Sequence, residues 1–183
     1  AIVEGWLLGQ AGGGAVADVL LGAVNPSGRL AETIPVRLED SPAYLDFPGE
    51  HGHVRYGEGL FVGYRWYDAR KIGVSYPFGH GLSYTTFAYG EAAAVSDSDG
   101  VTVTVTVTNT GSRDGAEIVQ VYTALPGSLV VRAPRELKGF TKVHLAAGQS
   151  AEVTVRLRRD DLAYWDTRVQ RWVVEGGSYE VAV

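Results

Sequence analysis

Two carboxyl groups held about 5–10 Å apart can divide between them the work of general acid and of base or nucleophile in a hydrolysis. The candidates in this sequence are Glu50, Glu58 and Asp68. Glu58 sits between glycines in Tyr56-Gly57-Glu58-Gly59, and nothing in the sequence supplies it with a second carboxylate. A structural hydrogen bond or ion pair, with Arg55 or Arg65, is the expectation for it. His51 and His53 flank Gly52 next to Glu50, a His-x-His arrangement from which a metal site can be built. The two imidazoles share a side only if the segment is extended, and no third ligand is evident. A polar surface loop, or a loop at the rim of a neighbouring cleft touching sugar hydroxyls, are the competing readings, and no metal or cofactor is expected. The run Gly9-Gln10-Ala11-Gly12-Gly13-Gly14-Ala15 leads into a helical pattern, where backbone N–H groups can cradle a phosphate. It lacks the Gly-Lys-Ser/Thr of a P-loop, and no βαβ unit with an acidic residue about 20 positions on follows it. A tight turn with close backbone packing is therefore expected. Tyr64, Trp66, Tyr67, Tyr76 and Phe78 suit either stacking on a sugar or welding one domain to another, since aromatics bury large areas while Tyr and Trp keep a polar tip in reach. The interface reading is preferred. Trp165 and Trp172 are expected at the core and edge of a β-layer, and the serines and histidines show no nucleophile-elbow context. No residue is assigned a catalytic, metal-binding or cofactor-binding role.

The elements that must position these groups change character along the chain. Residues 2–8 form an apolar run of strand length, and Val16, Val19 and Leu20 mark one face of a helix over Ala15 to Leu21. Asn25-Pro26-Ser27-Gly28 is dense turn chemistry, and Leu30 to Val36 reads as a further extended segment. Strand, helix and extended segment in that order are what the end of an α/β domain looks like. From Glu39 to about Tyr84 periodicity dissolves into a stretch rich in glycine, proline and aromatics. A loop of that length is functional or interdomain, and its aromatics argue against a solvated linker, so it is expected to lie packed across a surface.

After Tyr84 the pattern is that of strands. Val101 to Thr108 alternates valine and threonine without a break, the period-2 signature of a half-buried antiparallel strand with valine inward. Thr85 to Tyr89, Ile118 to Tyr122, Leu137 to Val143, Ala151 to Leu157, Gln170 to Val174 and Tyr179 to Val183 bring the total to about seven strands, with glycine-bearing turns at intervals suited to a β-sandwich.

Composition narrows the function class. The 183 residues carry 16 basic and 21 acidic side chains for a net charge of −5, with 45% apolar residues. There is no basic stripe to track a phosphate backbone, so nucleic acid is not an expected partner. No apolar run approaches the roughly 20 residues of a membrane-spanning helix. The absence of cysteine removes disulfides, thiolate metal sites and a cysteine nucleophile without fixing the compartment. There is no methionine, and the sequence opens in mid-pattern at Ala1-Ile2-Val3, which leads us to expect a piece of a longer polypeptide.

Several long motifs, in order, carry a resemblance. Trp6-Leu7-Leu8-Gly9-Gln10-Ala11-Gly12-Gly13, Ala17-Asp18-Val19-Leu20-Leu21-Gly22 and Asn25-Pro26-Ser27-Gly28-Arg29-Leu30 resemble the end of the second domain of family 3 glycoside hydrolases. Arg55 to Asp68 and Tyr76 to Phe87 look like that family's connector into its third domain. Val107-Thr108-Asn109-Thr110-Gly111, Gly115 to Tyr122, Arg135 to Phe140 and Tyr164-Trp165-Asp166 look like its fibronectin type III-like domain. The resemblance implies a mainly β chain: an immunoglobulin-like, fibronectin type III-like sandwich preceded by the C-terminal remnant of an α/β sandwich domain. It places the end of the second domain at 1–38, the aromatic connector at 39–83 and the sandwich at 84–183. It also implies a parent that removes terminal β-linked sugars, usually glucose, with retention, whose nucleophilic aspartate lies in an N-terminal barrel and whose acid/base glutamate precedes Ala1. The expected partners are that barrel, the rest of the α/β domain and, through the parent, a β-glucoside or oligosaccharide. An autonomous carbohydrate-binding or adhesion module is the alternative.

Overall fold

The valine/threonine repeat forms the central strand of the molecule. In the computed structural model, which describes residues 2–183, β5 (Gly100–Asn109) buries Val103, Val105 and Val107 while the threonines between them face outward. Its start depends on glycine: Gly100 has φ +152, and a Cβ there would collide with the Leu157 carbonyl. β8 (Ser150–Arg158) pairs antiparallel along one edge of β5 over nine residue pairs, from Gly100 opposite Arg158 to Thr108 opposite Ser150. The other edge is shared by β3 (Phe87–Tyr89) and β4 (Ala93–Asp97).

A second sheet, in the order β11 (Glu180–Ala182), β6 (Gly115–Ala124), β7 (Glu136–Leu145), closes the sandwich. Between the sheets lie two contiguous clusters, Val105, Val107, Val119, Leu145 and Val153 in one and Val103, Val121, Val155 and Leu157 in the other. Burial of such side chains stabilises by about 1.5–3 kcal/mol each. A short hairpin of β9 (Tyr164–Asp166) and β10 (Arg171–Val173) flanks the sandwich, with Trp165 directly opposite Trp172.

The N-terminal part is sparser. Residues 2–8, expected as a strand, take no regular structure, because a strand needs a neighbour to accept its backbone groups and none of the described residues provides one. Ile2 and Leu7 are left in solvent. The helix α1 (Gly12–Leu20) begins three residues before its expected start and is bare apart from Val16 and Val19, which are half-covered, and the buried Gly12. Of the extended segment expected over Leu30–Val36, only β1 (Ile34–Pro35) is a strand, paired with β2 (Val74–Tyr76). The aromatic stretch, in which no regular element was foreseen, contains β2 and the helix α2 (Tyr64–Arg70).

Asn109, at the end of β5, ties three loops together. It is fully buried; its Oδ1 accepts from Thr85 Oγ1 at 2.6 Å and the Gly111 amide at 3.1 Å, and its Nδ2 donates to the Arg113 and Leu145 carbonyls at 2.7 and 3.1 Å. Truncating it leaves several buried groups unpaired, so Asn109→Ala should lower the unfolding free energy by about 2–4 kcal/mol. The exposed change Thr106→Ala on the same strand should stay within about 0.5 kcal/mol. Equilibrium urea denaturation of the two variants checks the contrast.

Candidate functional site

The structure separates the residues whose types suggested chemistry. Asp68, on α2, accepts from Arg135 of the sandwich, Nε to Oδ2 at 2.7 Å and Nη2 to Oδ1 at 3.3 Å, which raises the guanidinium pKa. Glu50 and His53 close a two-residue turn through reciprocal backbone bonds at 3.0 and 2.9 Å, with His51 and Gly52 at φ +51 and +80, the left-handed pair that such a turn requires. Both imidazoles lie at the surface, and no three His, Asp or Glu side chains among the described residues are grouped to hold a metal. Glu58 departs from expectation. It pairs with neither Arg55 nor Arg65: Oε2 is buried without a partner, and Arg65 lies over the Tyr64 ring instead, 5.8 Å from its centre. A turn closed by the Phe61 amide on the Glu58 carbonyl fixes the backbone there. The glycine-rich turn before α1 carries no side-chain cap.

Every carboxyl whose pKa departs from the ordinary range is pulled downward. Arg156 holds Asp97 to about 2, and Arg37, Arg158 and Arg168 act likewise on Asp40, Asp161 and Asp166. Glu175 is lowered by the Leu129 amide and Ser128. A general acid needs the opposite displacement, so these shifts have the pattern of structural ion pairs.

What the aromatic residues build is a seam. Tyr64 packs against Phe78 at 5.0 Å and, edge-on, against Tyr122 of β6 at 5.9 Å, and its hydroxyl accepts from the Leu137 amide at 2.8 Å. Trp66 Nε1 donates to the Asp40 carbonyl at 3.0 Å, and Tyr67 is buried. A hollow of about 50 Å³ among Tyr64, Tyr67, Asp68, Tyr122 and Arg135 has room for water but not for a sugar.

Further along β6 the Asn25–Leu30 segment takes over. Arg29 Nη2 donates to both carboxylate oxygens of Glu117 at 2.9 and 2.8 Å, with 10% and 12% of the two side chains exposed. Asn25 Nδ2 donates to the Asp114 carbonyl, while its Oδ1 accepts from Ser83 and the Tyr84 amide. Tyr84 donates to the Val19 carbonyl at 2.7 Å, and Arg113 reaches back from the sandwich to the Gly22 carbonyl at 2.6 Å. Leu30 and His80 join the two seam segments by backbone bonds, and Gly81 approaches the Gly28 carbonyl too closely to admit a Cβ. The turn chemistry of Asn25–Gly28 was visible in the sequence. Its partners were not, because Arg29 and Glu117 stand 88 positions apart and charged residues at such separation carry no periodic signal.

With this geometry in view, comparison with known proteins is decisive. Residues 1–84 match the profile of the glycosyl hydrolase family 3 C-terminal domain, and residues 117–183 that of a fibronectin type III-like domain. The chain belongs to glycosyl hydrolase family 3. It resembles the exo-α-(1→6)-L-arabinopyranosidase of Bifidobacterium longum at 52% identity, over all of this chain and 24% of that protein. It is 49% identical to the thermostable β-glucosidase B of Acetivibrio thermocellus, over all of this chain and 25% of that one. The crystal structure of a β-glucosidase from Bifidobacterium adolescentis superposes with a TM-score of 0.92 at 53% identity, over 97% of this chain and 27% of the other. The family 3 chain thus spans about a quarter of the length of these relatives, as the C-terminal part of a larger polypeptide that holds the other domains. The seam joins its two matched regions. The second profile begins on β6, so β3, β4 and β5 precede it although they complete the same sandwich.

Removing one member of the buried ion pair strands the other. Arg29→Ala should destabilise by about 3 kcal/mol, the lower end for such a pair. The double change Arg29→Met with Glu117→Leu should recover most of that loss, since a packed apolar pair avoids the desolvation penalty. Thermal unfolding of both variants distinguishes a stranded charge from lost packing.

Proposed function

We propose that this chain is the non-catalytic C-terminal part of a retaining, exo-acting β-glycosidase, a β-glucosidase in the first instance, and that it buttresses the catalytic domains. The division we propose is 1–38 for the end of the α/β domain, 39–83 for the connector and 84–183 for the sandwich. The seam along β6 is the observation that carries this reading. Asp68, one of the three candidate carboxylates, is spent there on Arg135, and the connector's aromatic residues are spent on packing.

The distribution of exposed apolar groups supports the same conclusion. Ile2, Leu7, Leu21, Leu45, Phe47 and Tyr56 all stand in solvent in this chain. Exposed large apolar side chains in such number mark a surface that belongs against a partner, and a parent about four times as long supplies one in the same polypeptide. The proposed partners are therefore the barrel and the remainder of the α/β domain, and the substrate a terminal β-glucoside or oligosaccharide.

An autonomous glycan-binding module has one observation in its favour. Trp165 and Trp172 form an edge-to-face pair at 5.7 Å on the outer hairpin and remain 46% and 67% exposed. That surface takes no account of the bare N-terminal region, which the buttress reading explains.

In the full-length parent, Glu58→Gln and Asp68→Asn should each lower kcat on an aryl β-glucoside by less than about tenfold, against 10³-fold or more for a true acid, base or nucleophile. A loss of the larger size at either position, with the fold intact by circular dichroism, contradicts the non-catalytic assignment.

A further inference from the structure

The loop between β6 and β7, Leu125 to Arg135, presents an unusual combination. Its ends are anchored by Leu125 and Ala133, both buried, yet Leu129 and Val131 near its tip are 94% and 70% exposed. Two apolar side chains two residues apart are held out in water.

The support behind them is expensive. Glu175, which follows β10, accepts from the Leu129 amide at 2.6 Å and lies 2.7 Å from Ser128 Oγ. Arg132 Nε lies 3.2 Å from the same hydroxyl and 3.5 Å from Glu175, and its guanidinium covers the Tyr164 ring at 5.2 Å. The Arg132 and Glu175 side chains are only 9% and 11% exposed, and Arg132 Nη2 is buried with no partner. Burying an ion pair, with one donor left over, does little for stability in itself. It does fix a backbone, and a rigidly backed apolar tip is the form of an interface anchor.

The loop also continues the seam. Arg135, at its C-terminal end, pairs with Asp68, and two residues on the Leu137 amide bonds to Tyr64. Through Trp66 and Asp40, α2 is tied to the segment that carries the exposed Tyr44, Leu45, Phe47 and Tyr56. That segment is the surface assigned above to the rest of the polypeptide.

We propose that the Leu125–Arg135 loop is a second docking surface, by which the sandwich itself, and not only the connector, grips the remainder of its own polypeptide, with Leu129 and Val131 as anchors and the Arg132–Glu175–Ser128 network as backing. This rests on the reading that such a remainder packs against the connector. About three quarters of the length of the relatives lies outside this chain, which makes that remainder the occupant available to a loop contiguous with the seam.

The test is photo-cross-linking in the full-length parent, with p-benzoylphenylalanine placed at position 129 in one protein and at position 56 in another. Tyr56 is 86% exposed here and belongs to the connector surface. The expected result is that both probes are mapped by peptide mass spectrometry to segments of the same polypeptide outside residues 1–183. A position-56 probe that reaches outside while the position-129 probe links only within residues 1–183, or not at all, overturns the docking surface and leaves the buttress reading standing. If neither reaches outside, both fail. A position-129 link between two copies, seen as a band of doubled mass, overturns the proposal in favour of a homodimer contact.

Discussion

Strand β6 is the constraint on which the rest of this structure depends. Val119 and Val121 complete the sandwich core from one of its faces and Glu117, on that same face, meets Arg29, while Tyr122 on the opposite face meets Tyr64. Because side chains alternate across a strand, a one-residue slip would withdraw both sets at once. The register is held against such a slip by β7, by β11 and by Arg29, which binds both carboxylate oxygens of Glu117 through one nitrogen. The ion pair itself adds little net stability. Its effect is to fix the orientation of Asn25–Leu30 on the sandwich, and with it the end of α1 through Tyr84 and Arg113.

From this follows the division of labour within the chain. The sandwich has a closed core of its own. The region before residue 63 has bare apolar side chains, a helix with one covered edge and a buried carboxylate oxygen without a partner. A domain is expected to have its own core, and this region has none among the described residues. It is a partial layer, shaped by what it packs on at the seam.

Legibility in the sequence follows the same line. The alternation of Val101 to Thr108 is dictated by burial of one face of a strand, so period alone revealed it, and the strands of the core were placed to within a few residues. β4 was not foreseen because all five of its residues are exposed on an edge, leaving no apolar face to read. The helix α2 was hidden because Tyr64, Trp66 and Tyr67 face different neighbours, β6, the Asp40 carbonyl and the interior, and so show no single stripe. Residues 2–8 have the composition of a strand without the strand partner. Glu58 was expected to meet an arginine because arginines are near in sequence; its surroundings are set instead by a turn and by Arg65 turning to an aromatic ring. The candidate site was thus readable as an interface from its aromatic content, whereas the polar contacts of the seam, between residues about 90 positions apart, were not.

The central claim is that the carboxylates that break the glycosidic bond lie outside this chain. It is tested most directly by incubating the pure 183-residue chain, confirmed as a single species of 19.6 kDa by intact mass, with an aryl β-glucoside, beside the full-length parent. The account predicts release of the aryl group by the parent and none above background by the chain. Turnover by the chain alone would contradict it.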